Sequence, residues 1–268
     1  MTHLFYILLG VIPGLYWLWF FYRRDKNPEP LGLFFKVYVL GALMIFPTLV
    51  IMSPTTGLGI YRLTIITPIV EETLKFMVVL IVVYRHREFD EPMDGLVYAA
   101  ASALGFATLE NVMYMFRMHP EGMEIPMDAL ILPDAVKDTA WIRALATVPA
   151  HVLFGAFWGY ALSVARFSGT RRPGTVIALG LLFSYIHHGL FNLIVSRGLS
   201  WLNHDGELFF TVFFLFILMG WYPFRYFEKS ALNVSREDWP EAPENLSQNQ
   251  PEERVDHPPE GAPEEEKA

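Results

Sequence analysis

The sequence predicts an all-α fold, a polytopic bundle of transmembrane helices. Of its 268 residues, 53% are hydrophobic and only 18% are charged, and the mean hydropathy is +0.32. An ordinary soluble domain does not have this composition. Apolar runs of roughly 17 to 25 residues, long enough to cross a bilayer, recur along the chain. They number about seven, at residues 4–21, 32–52, 63–84, 95–116, 141–164, 176–196 and 208–224.

The first run is expected to stay in the membrane as an anchor. It ends in bulky aromatic residues and is followed by a basic cluster, where a cleavable signal peptide would have small residues. Basic residues follow every odd-numbered run, and they are Arg23, Arg24, Lys26, Arg85, Arg87, Arg166, Arg171, Arg172, Arg225 and Lys229. Since such residues gather on the cytoplasmic side, we expect a multi-pass protein of the cell membrane. Its N-terminus would be extracytoplasmic and its C-terminus cytoplasmic.

The composition changes at about residue 230, where Pro, Glu, Asn and Gln replace the apolar runs. A segment of this kind buries too little apolar surface to fold. From Lys229 onward it has eleven acidic and four basic residues, which account for nearly all of the formal net charge of −8. The chain is therefore expected to consist of a helix bundle, residues 1–229, and a disordered acidic cytoplasmic tail, residues 230–268.

Ionisable and amide side chains interrupt four of the apolar runs. Each charged group within a span costs about 2.5 to 3.5 kcal/mol on insertion scales, so such groups usually face a bundle interior and mark function. The residues are Glu71, Glu72 and Lys75 in the third run, Glu110 and Asn111 in the fourth, His151 in the fifth, and His187, His188 and Asn192 in the sixth. At about 1.5 Å per residue, they lie roughly 9 to 15 Å below the predicted outer ends of their helices. They are therefore expected to share one level.

The spacing within the third run predicts different surroundings for its two carboxylates. Glu72 can reach Lys75 three residues on, and Glu71 points about 100° away from Glu72 around a helix. One carboxylate can therefore face a cavity while the other pairs with the lysine. Small residues between 99 and 107 in the fourth run would let neighbouring backbones approach closely, and so bring Glu110 toward its partners.

These residue types suit the hydrolysis of a peptide bond within the membrane. A carboxylate in a low-dielectric site can take a proton from water, and imidazole and carboxamide donors can hold the oxyanion. Alternatively, His151, His188 and Glu110 are a possible zinc set. The sequence has no cysteine, no HExxH and no GxSxG, which excludes thiol, zincin and serine-elbow proteases. Asp94 is expected to act locally at a helix start, and Arg143 to mark the membrane interface.

Three short motifs resemble one protein family. Glu71-Glu72-x-x-Lys75, Phe106-Ala-Thr-Leu-Glu110-Asn111 and His188-Gly-Leu-Phe-Asn192 follow one another on polar spans, as in the PrsW family of intramembrane proteases. That family is grouped in a clan with the CAAX prenyl endopeptidases and the APH subunit of γ-secretase. The resemblance covers roughly residues 1–229. It differs from the wider clan at Glu110, where the clan carries histidine.

The resemblance implies cleavage of a single-span membrane protein, such as an anti-sigma factor, on its extracytoplasmic side. Carried over by motif, the catalytic residues would be Glu71, Glu72, Glu110 and His188, supported by Lys75, His151, Asn192 and Asn111. The family has been regarded as metallo-type, while relatives look like glutamate proteases. We favour carboxylate-activated water without a cofactor, with zinc as the alternative.

Two other functions fit polar groups at one membrane depth. An ion or proton transporter uses such groups as a pathway, although the broken helices in two corresponding halves that mark many transporters are not visible in the sequence. A catalytically silent membrane scaffold could use them to assemble helices. The expected partners are the lipid bilayer and a membrane-anchored protein substrate, and nucleic acid is not expected.

Overall fold

The computed structural model describes residues 2–23, 27–117, 143–202, 214, 220–222, 224–227 and 229, and within these ranges it is helical and contains no strand. The α-helices of the described residues include α1 (Thr2–Tyr22), α2 (Leu31–Leu43), α3 (Ile45–Met52), the three-residue α4 (Gly59–Tyr61), α5 (Thr67–Val82), α6 (Asp94–Arg117), α7 (Val148–Phe167) and α8 (Pro173–Leu202). A 3₁₀ segment (Ser53–Leu58) precedes α4. The all-helical prediction is confirmed for the described residues.

Four helical stretches are long and apolar enough to cross a membrane, and they are Leu31–Val82, Asp94–Tyr114, Arg143–Phe167 and Pro173–Ser196. The first of these folds back on itself, because α2 and α3 pack against α5. The reversal includes Gly59, whose φ of +50° few other residues adopt. It therefore contains the two runs predicted at 32–52 and 63–84. The run at 4–21 corresponds to α1. Its described apolar part, Ile7–Tyr22, is shorter than these four stretches.

Helix α6 lies at the centre of the bundle and contacts α1, α2 and α7. Its small residues make these contacts close, as the sequence predicted, and Ala99, Ala101, Ala103 and Ala107 are fully buried. A Cβ added to Gly105 would collide with the Tyr38 carbonyl of α2. Close packing of this kind is typical of helices in lipid, where small residues let backbones approach. It brings the second half of α6 next to the polar parts of α5 and α7.

Two short π-helical turns precede the helices that carry the polar motifs. The first π turn (Arg62–Ile66) leads into α5, and the second π turn (Arg143–Thr147) leads into α7. Each is followed by a proline at the start of the next helix, Pro68 and Pro149. π-Helical turns are rare and occur frequently at functional sites.

Large apolar side chains cover much of the outer surface of the helices, for example Val50 on α3, Ile81 on α5 and Phe183 on α8. An outward-facing apolar surface is what a lipid environment requires, since the backbone groups are already paired within the helices. The seventh predicted run, at 208–224, and the acidic tail at 230–268 lie largely or wholly outside the described residues. The count of about seven spans stays a prediction.

Candidate active site

A cavity of about 520 Å³ lies between α3, α5, α6, α7, α8 and the two π turns. Its walls combine apolar side chains with most of the polar residues that the sequence singles out. The ionisable groups lining it are Arg62, Glu71, Glu110, Arg143, His151 and His188. The structure therefore brings together residues from four helices that lie as many as 117 positions apart in the chain, counting from Glu71 to His188.

The two adjacent glutamates have different surroundings, in the way that their spacing predicts. Glu72 is fully buried and its Oε1 lies 2.5 Å from Lys75 Nζ. Glu71 lines the cavity, and its Oε2 is 3.9 Å from the same nitrogen. Oε2 of Glu71 is buried and has no hydrogen-bond partner among the described residues. A buried carboxylate oxygen left in this way is costly, so its position calls for a functional explanation.

Glu72 holds four side chains from three helices. Its Oε1 accepts hydrogen bonds from Lys75 and, at 2.8 Å, from Nδ1 of His188. Its Oε2 accepts from Trp158 Nε1 and Ser184 Oγ, both at 3.3 Å. Trp158 and Ser184 are not among the residues predicted from the sequence. Their helical positions, seven residues after His151 and four before His188, would place them on the same helix faces as these histidines.

The hydrogen-bond partners determine which nitrogen of each histidine carries the proton. Nδ1 of His188 faces the Glu72 carboxylate, which accepts, so Nδ1 is the donor and Nε2 keeps its lone pair. Lys75 Nζ lies 3.0 Å from Nδ1 of His151, and an ammonium can only donate. The neutral His151 ring therefore carries its proton on Nε2. The two rings present opposite chemistry, an acceptor at His188 and a donor at His151.

Glu110 lies at the centre of a second group of contacts on the same cavity. Its Oε2 is 2.6 Å from Arg143 Nη2 and 3.3 Å from His151 Nε2. Arg143 also donates from Nε to Asn111 Oδ1 at 2.5 Å and stacks on the Tyr114 ring. Arg143, which is expected to mark the membrane interface, is buried against α6 at the start of the second π turn. Its depth in the membrane stays a prediction, whereas its inward contacts were not predicted.

The remaining predicted residues lie at the edge of this network or outside it. Asn192 lines the cavity and donates from Nδ2 to the Leu63 carbonyl at 3.0 Å. His187 packs against the rings of Phe154 and Phe157. Asp94 lies at the start of α6, where its Oδ2 accepts the backbone N–H groups of Asp90 and Glu91. The local role predicted for Asp94 is confirmed.

Comparison with known proteins agrees with this geometry. The model of the family described as "PrsW family intramembrane metalloprotease" matches residues 29–221. The chain belongs to the PrsW family. It is 31% identical to Protease PrsW of Bacillus subtilis (strain 168) over 204 residues, which cover 74% of this chain and 86% of the relative. It is 32% identical to Protease PrsW of Geobacillus kaustophilus (strain HTA426) over 222 residues, 81% of this chain and 87% of the relative. No solved structure matches it.

Membership of the PrsW family makes the chain a membrane protease, with a protein substrate reached in the bilayer. The family description names a metal, which the described residues would have to hold. Zinc in catalytic sites takes three protein ligands. Two suitable atoms face each other here, Glu71 Oε2 and His188 Nε2, at 3.9 Å.

A third ligand for such an ion does not present itself among the described residues. His151 Nε2 carries a proton toward Glu110, and the Glu110 oxygen that it faces is bound by Arg143. Within the described part of the chain no group of three His, Cys, Asp or Glu side chains could hold a metal ion. The arrangement of His151, His188 and Glu110 in this PrsW protease does not fit the zinc set that the sequence suggested.

Proposed function

We propose that this PrsW protease cleaves its substrate with a water molecule activated by Glu71. The observation that carries the proposal is the buried Oε2 of Glu71, which lines the cavity and faces His188 Nε2 across 3.9 Å. A separation of this size suits one water molecule hydrogen-bonded to both atoms. Both atoms are acceptors, and a carboxylate in a dry site is a suitable general base. Glu71 would take a proton from the water as its oxygen bonds to the scissile carbonyl carbon, and would pass that proton to the amine nitrogen when the C–N bond breaks.

Glu72 and Lys75 would position the reacting groups without touching the substrate. Glu72 holds the His188 ring through Nδ1 and so aims Nε2 at the water. Lys75, fully buried, offsets part of the negative charge of the two glutamates. By occupying Nδ1 of His151 it keeps the proton of that ring on Nε2, which faces Glu110 at the cavity wall. His151 would share this proton between Glu110 and the oxyanion of the tetrahedral intermediate, where one such donor contributes about 10²- to 10³-fold to the rate.

Glu110 supports the proposed oxyanion donor by holding His151 and Arg143. Its Oε2 contacts both of them, which favours a positioning role over direct proton transfer. Asn111 accepts a hydrogen bond from Nε of Arg143 and so fixes that part of the guanidinium.

The order of these polar motifs along the chain also supports our inference that the PrsW proteases are distant relatives of the CAAX prenyl endopeptidases and the APH subunit of γ-secretase.

The proposed substrate is a single-span membrane protein, such as an anti-sigma factor, cut on its extracytoplasmic side. The cavity is bordered by the first residues of the second π turn and by Tyr114 near the end of α6, so it lies toward one end of the bundle. Arg85, Arg87 and Arg166, which follow the third and fifth runs, lie at the other end, next to the loop that leads into α6. By the positive-inside rule the cavity end is extracytoplasmic.

Purified full-length protein and a membrane-anchored reporter test the chemistry. Glu71→Gln should lower turnover by several orders of magnitude with reporter binding unchanged, and His188→Ala should lower it by about 10² to 10⁴. Exhaustive removal of metal should leave wild-type activity intact. Stoichiometric zinc in the purified protein, together with loss of activity on chelation that zinc alone restores, would refute the glutamate mechanism. An active Glu71→Gln variant would refute it independently.

Cysteine labelling tests the proposed orientation, and the cysteine-free chain gives no background. Single cysteines placed between residues 121 and 138 should react with an impermeant reagent added outside intact cells. Cysteines placed between residues 167 and 174 should react only after the cells are opened. The reverse pattern would place the active site on the cytoplasmic side.

A further inference from the structure

Helices α5 and α7 each follow a π turn and carry proposed site residues. Each has a proline in its first turn, and a proline has no backbone N–H to donate. In a π turn the N–H of a residue bonds to the carbonyl five positions back. Thr67 donates to Arg62 in this way. The next bond in the series would run from residue 68 to Leu63, but Pro68 has no N–H. The Leu63 carbonyl is therefore left without a partner in its own helix.

The same spacing of five residues between N–H and carbonyl applies to the second π turn. There the next bond would run from residue 149 to Ala144, and Pro149 again has no N–H. A backbone carbonyl left unpaired in a helix bundle in lipid is strongly unfavourable, because no water is there to bond it. Each π turn thus needs a donor from elsewhere in the molecule.

A side chain from another helix supplies that donor in each case. Asn192 on α8 donates from Nδ2 to the Leu63 carbonyl at 3.0 Å. Trp17 on α1 donates from Nε1 to the Ala144 carbonyl, also at 3.0 Å. The two carbonyls are the ones that Pro68 and Pro149 leave unpaired, five residues before each proline. A side-chain N–H from a separate helix therefore replaces the missing backbone donor at each π turn.

We infer that Asn192 and Trp17 are positioning residues, which lock the two π turns and thereby place Glu71 and His151 at the cavity. Glu71 lies three residues after Pro68, and His151 lies two residues after Pro149. A slip of either turn back to α-helical bonding would rotate the following side chain around its helix axis. The inference rests on the proposed function for the roles of Glu71 and His151.

The packing around Asn192 ties this lock to the other half of the site. Asn192 lies four residues after His188, so both are on one face of α8. Gly189 lies against the first π turn, where a Cβ would collide with the Thr64 carbonyl. One face of α8 thus presents His188 to Glu72 and holds the turn that leads to Glu71. The hydrogen bond from Asn192 sets the distance between the proposed base and the histidine that shares its water.

A double-mutant cycle tests the lock, using the full-length protein and the cleavage of a membrane-anchored reporter. Asn192→Leu keeps the size of the side chain and removes the donor. It should lower kcat by about 100-fold, the effect of a misplacement of about 1 Å, and leave KM unchanged. Pro68→Ala supplies the missing N–H. In that background Asn192→Leu should have little further effect on kcat or on the midpoint of thermal unfolding.

The matched pair Trp17→Phe and Pro149→Ala repeats the cycle at the second π turn. Leu193→Ala and Trp19→Phe, at exposed neighbouring positions on the same helices, are the controls and should leave kcat unchanged. Equal losses from Asn192→Leu in both backgrounds, in kcat and in the unfolding midpoint, would overturn the inference and indicate a direct contact with substrate. If Pro68→Ala is itself inactive, the unfolding midpoints decide alone.

The two proposals can fail separately. If the effects of Asn192→Leu and Pro68→Ala add and Glu71→Gln is inactive, only the positioning role of Asn192 and Trp17 is refuted. If the two effects are coupled and Glu71→Gln is active, that positioning role stands and only the proposed chemistry of Glu71 is refuted.

Discussion

Two groups of buried carboxylates lie near opposite ends of α6. The cavity cluster comprises Glu71, Glu72, Lys75, Glu110, Arg143, His151 and His188, and the inner cluster comprises Glu29, Asp94 and Tyr98. Acids in the cavity cluster contact cationic and imidazole groups and border an open cavity. Acids in the inner cluster lie beside each other and accept hydrogen bonds from the Tyr98 hydroxyl and from loop amides.

The difference between the clusters teaches that a buried carboxylate does not by itself make an active site. In the inner cluster, neutral donors satisfy Asp94 Oδ2 and Glu29 Oε2, whereas Asp94 Oδ1 is buried without a hydrogen-bond partner among the described residues. This cluster connects the segment before α2 to the start of α6 and does not line the cavity, which favours a structural role. The cavity cluster leaves Glu71 Oε2 and His188 Nε2 as acceptors on two residues that line the cavity. Chemistry needs acceptors next to a space that a substrate can enter, and this cavity is lined by Glu71 and His188 but by no residue of the inner cluster.

The largest expected effect comes from removing the central cation of the cavity cluster. Lys75→Met leaves the buried Glu72 without its ion-pair partner at 2.5 Å. Breaking one side of a buried pair costs about 3 to 5 kcal/mol, so the variant should be strongly destabilised and inactive. Denaturant titration in detergent measures this. Lys36→Met, at an exposed position on α2, is the control, and equal stability of the two variants would contradict the role given to Lys75.

A smaller effect is expected where the charge is kept but its geometry changes. Arg143→Lys keeps a cation near Glu110 but cannot also bond Asn111 in the same plane. The loss of one hydrogen bond to a charged group should cost about 1.5 to 3 kcal/mol, and cleavage should slow because His151 loses a fixed neighbour. Thermal unfolding and the reporter assay measure the two effects. An unchanged rate would mean that Arg143 and Glu110 serve folding alone.

The smallest expected effect concerns the inner cluster and depends on pH. Burial raises the pKa of the Glu29 carboxyl above its ordinary value, despite the hydrogen bonds from Asp94 and Tyr98, and the nearby Asp90 and Glu88 raise it further. Because the folded protein holds this proton more tightly than the unfolded chain does, protonated Glu29 contributes to the free energy of unfolding. That contribution is fully present below the ordinary pKa of about 4.5. It is lost as the pH rises through the folded value.

Glu29→Gln imitates the protonated acid and should therefore flatten the fall in unfolding midpoint between acidic and neutral pH, with cleavage at a fixed pH nearly unchanged. Thermal unfolding across that range measures it. A strong loss of cleavage in Glu29→Gln would break the contrast between the two clusters and bring the inner one into the mechanism.

Helical periodicity and the cost of polar groups in a span predict most of the candidate site residues. The positions of Glu71, Glu72 and Lys75 on one helix determine that the two carboxylates point in different directions. The cost of polar groups in an apolar span indicates that Glu110, His151 and His188 face inward. The motif order also led to the correct family. These conclusions depend on angles within single helices and on transfer free energies, which sequence order determines by itself.

Only the tertiary structure decided which glutamate faces the cavity and what holds the others. The rotation of α5 relative to α7 and α8 depends on close packing around the small residues of α6 and on the two π turns. Spacing along the chain places Trp158 on the face of His151 and Ser184 on the face of His188, but it does not specify that these faces contact Glu72. The bonds from Asn192 and Trp17 join residues 129 and 127 positions apart. A proline in the sequence reveals that a carbonyl loses its donor, but only packing between helices determines which side chain replaces it.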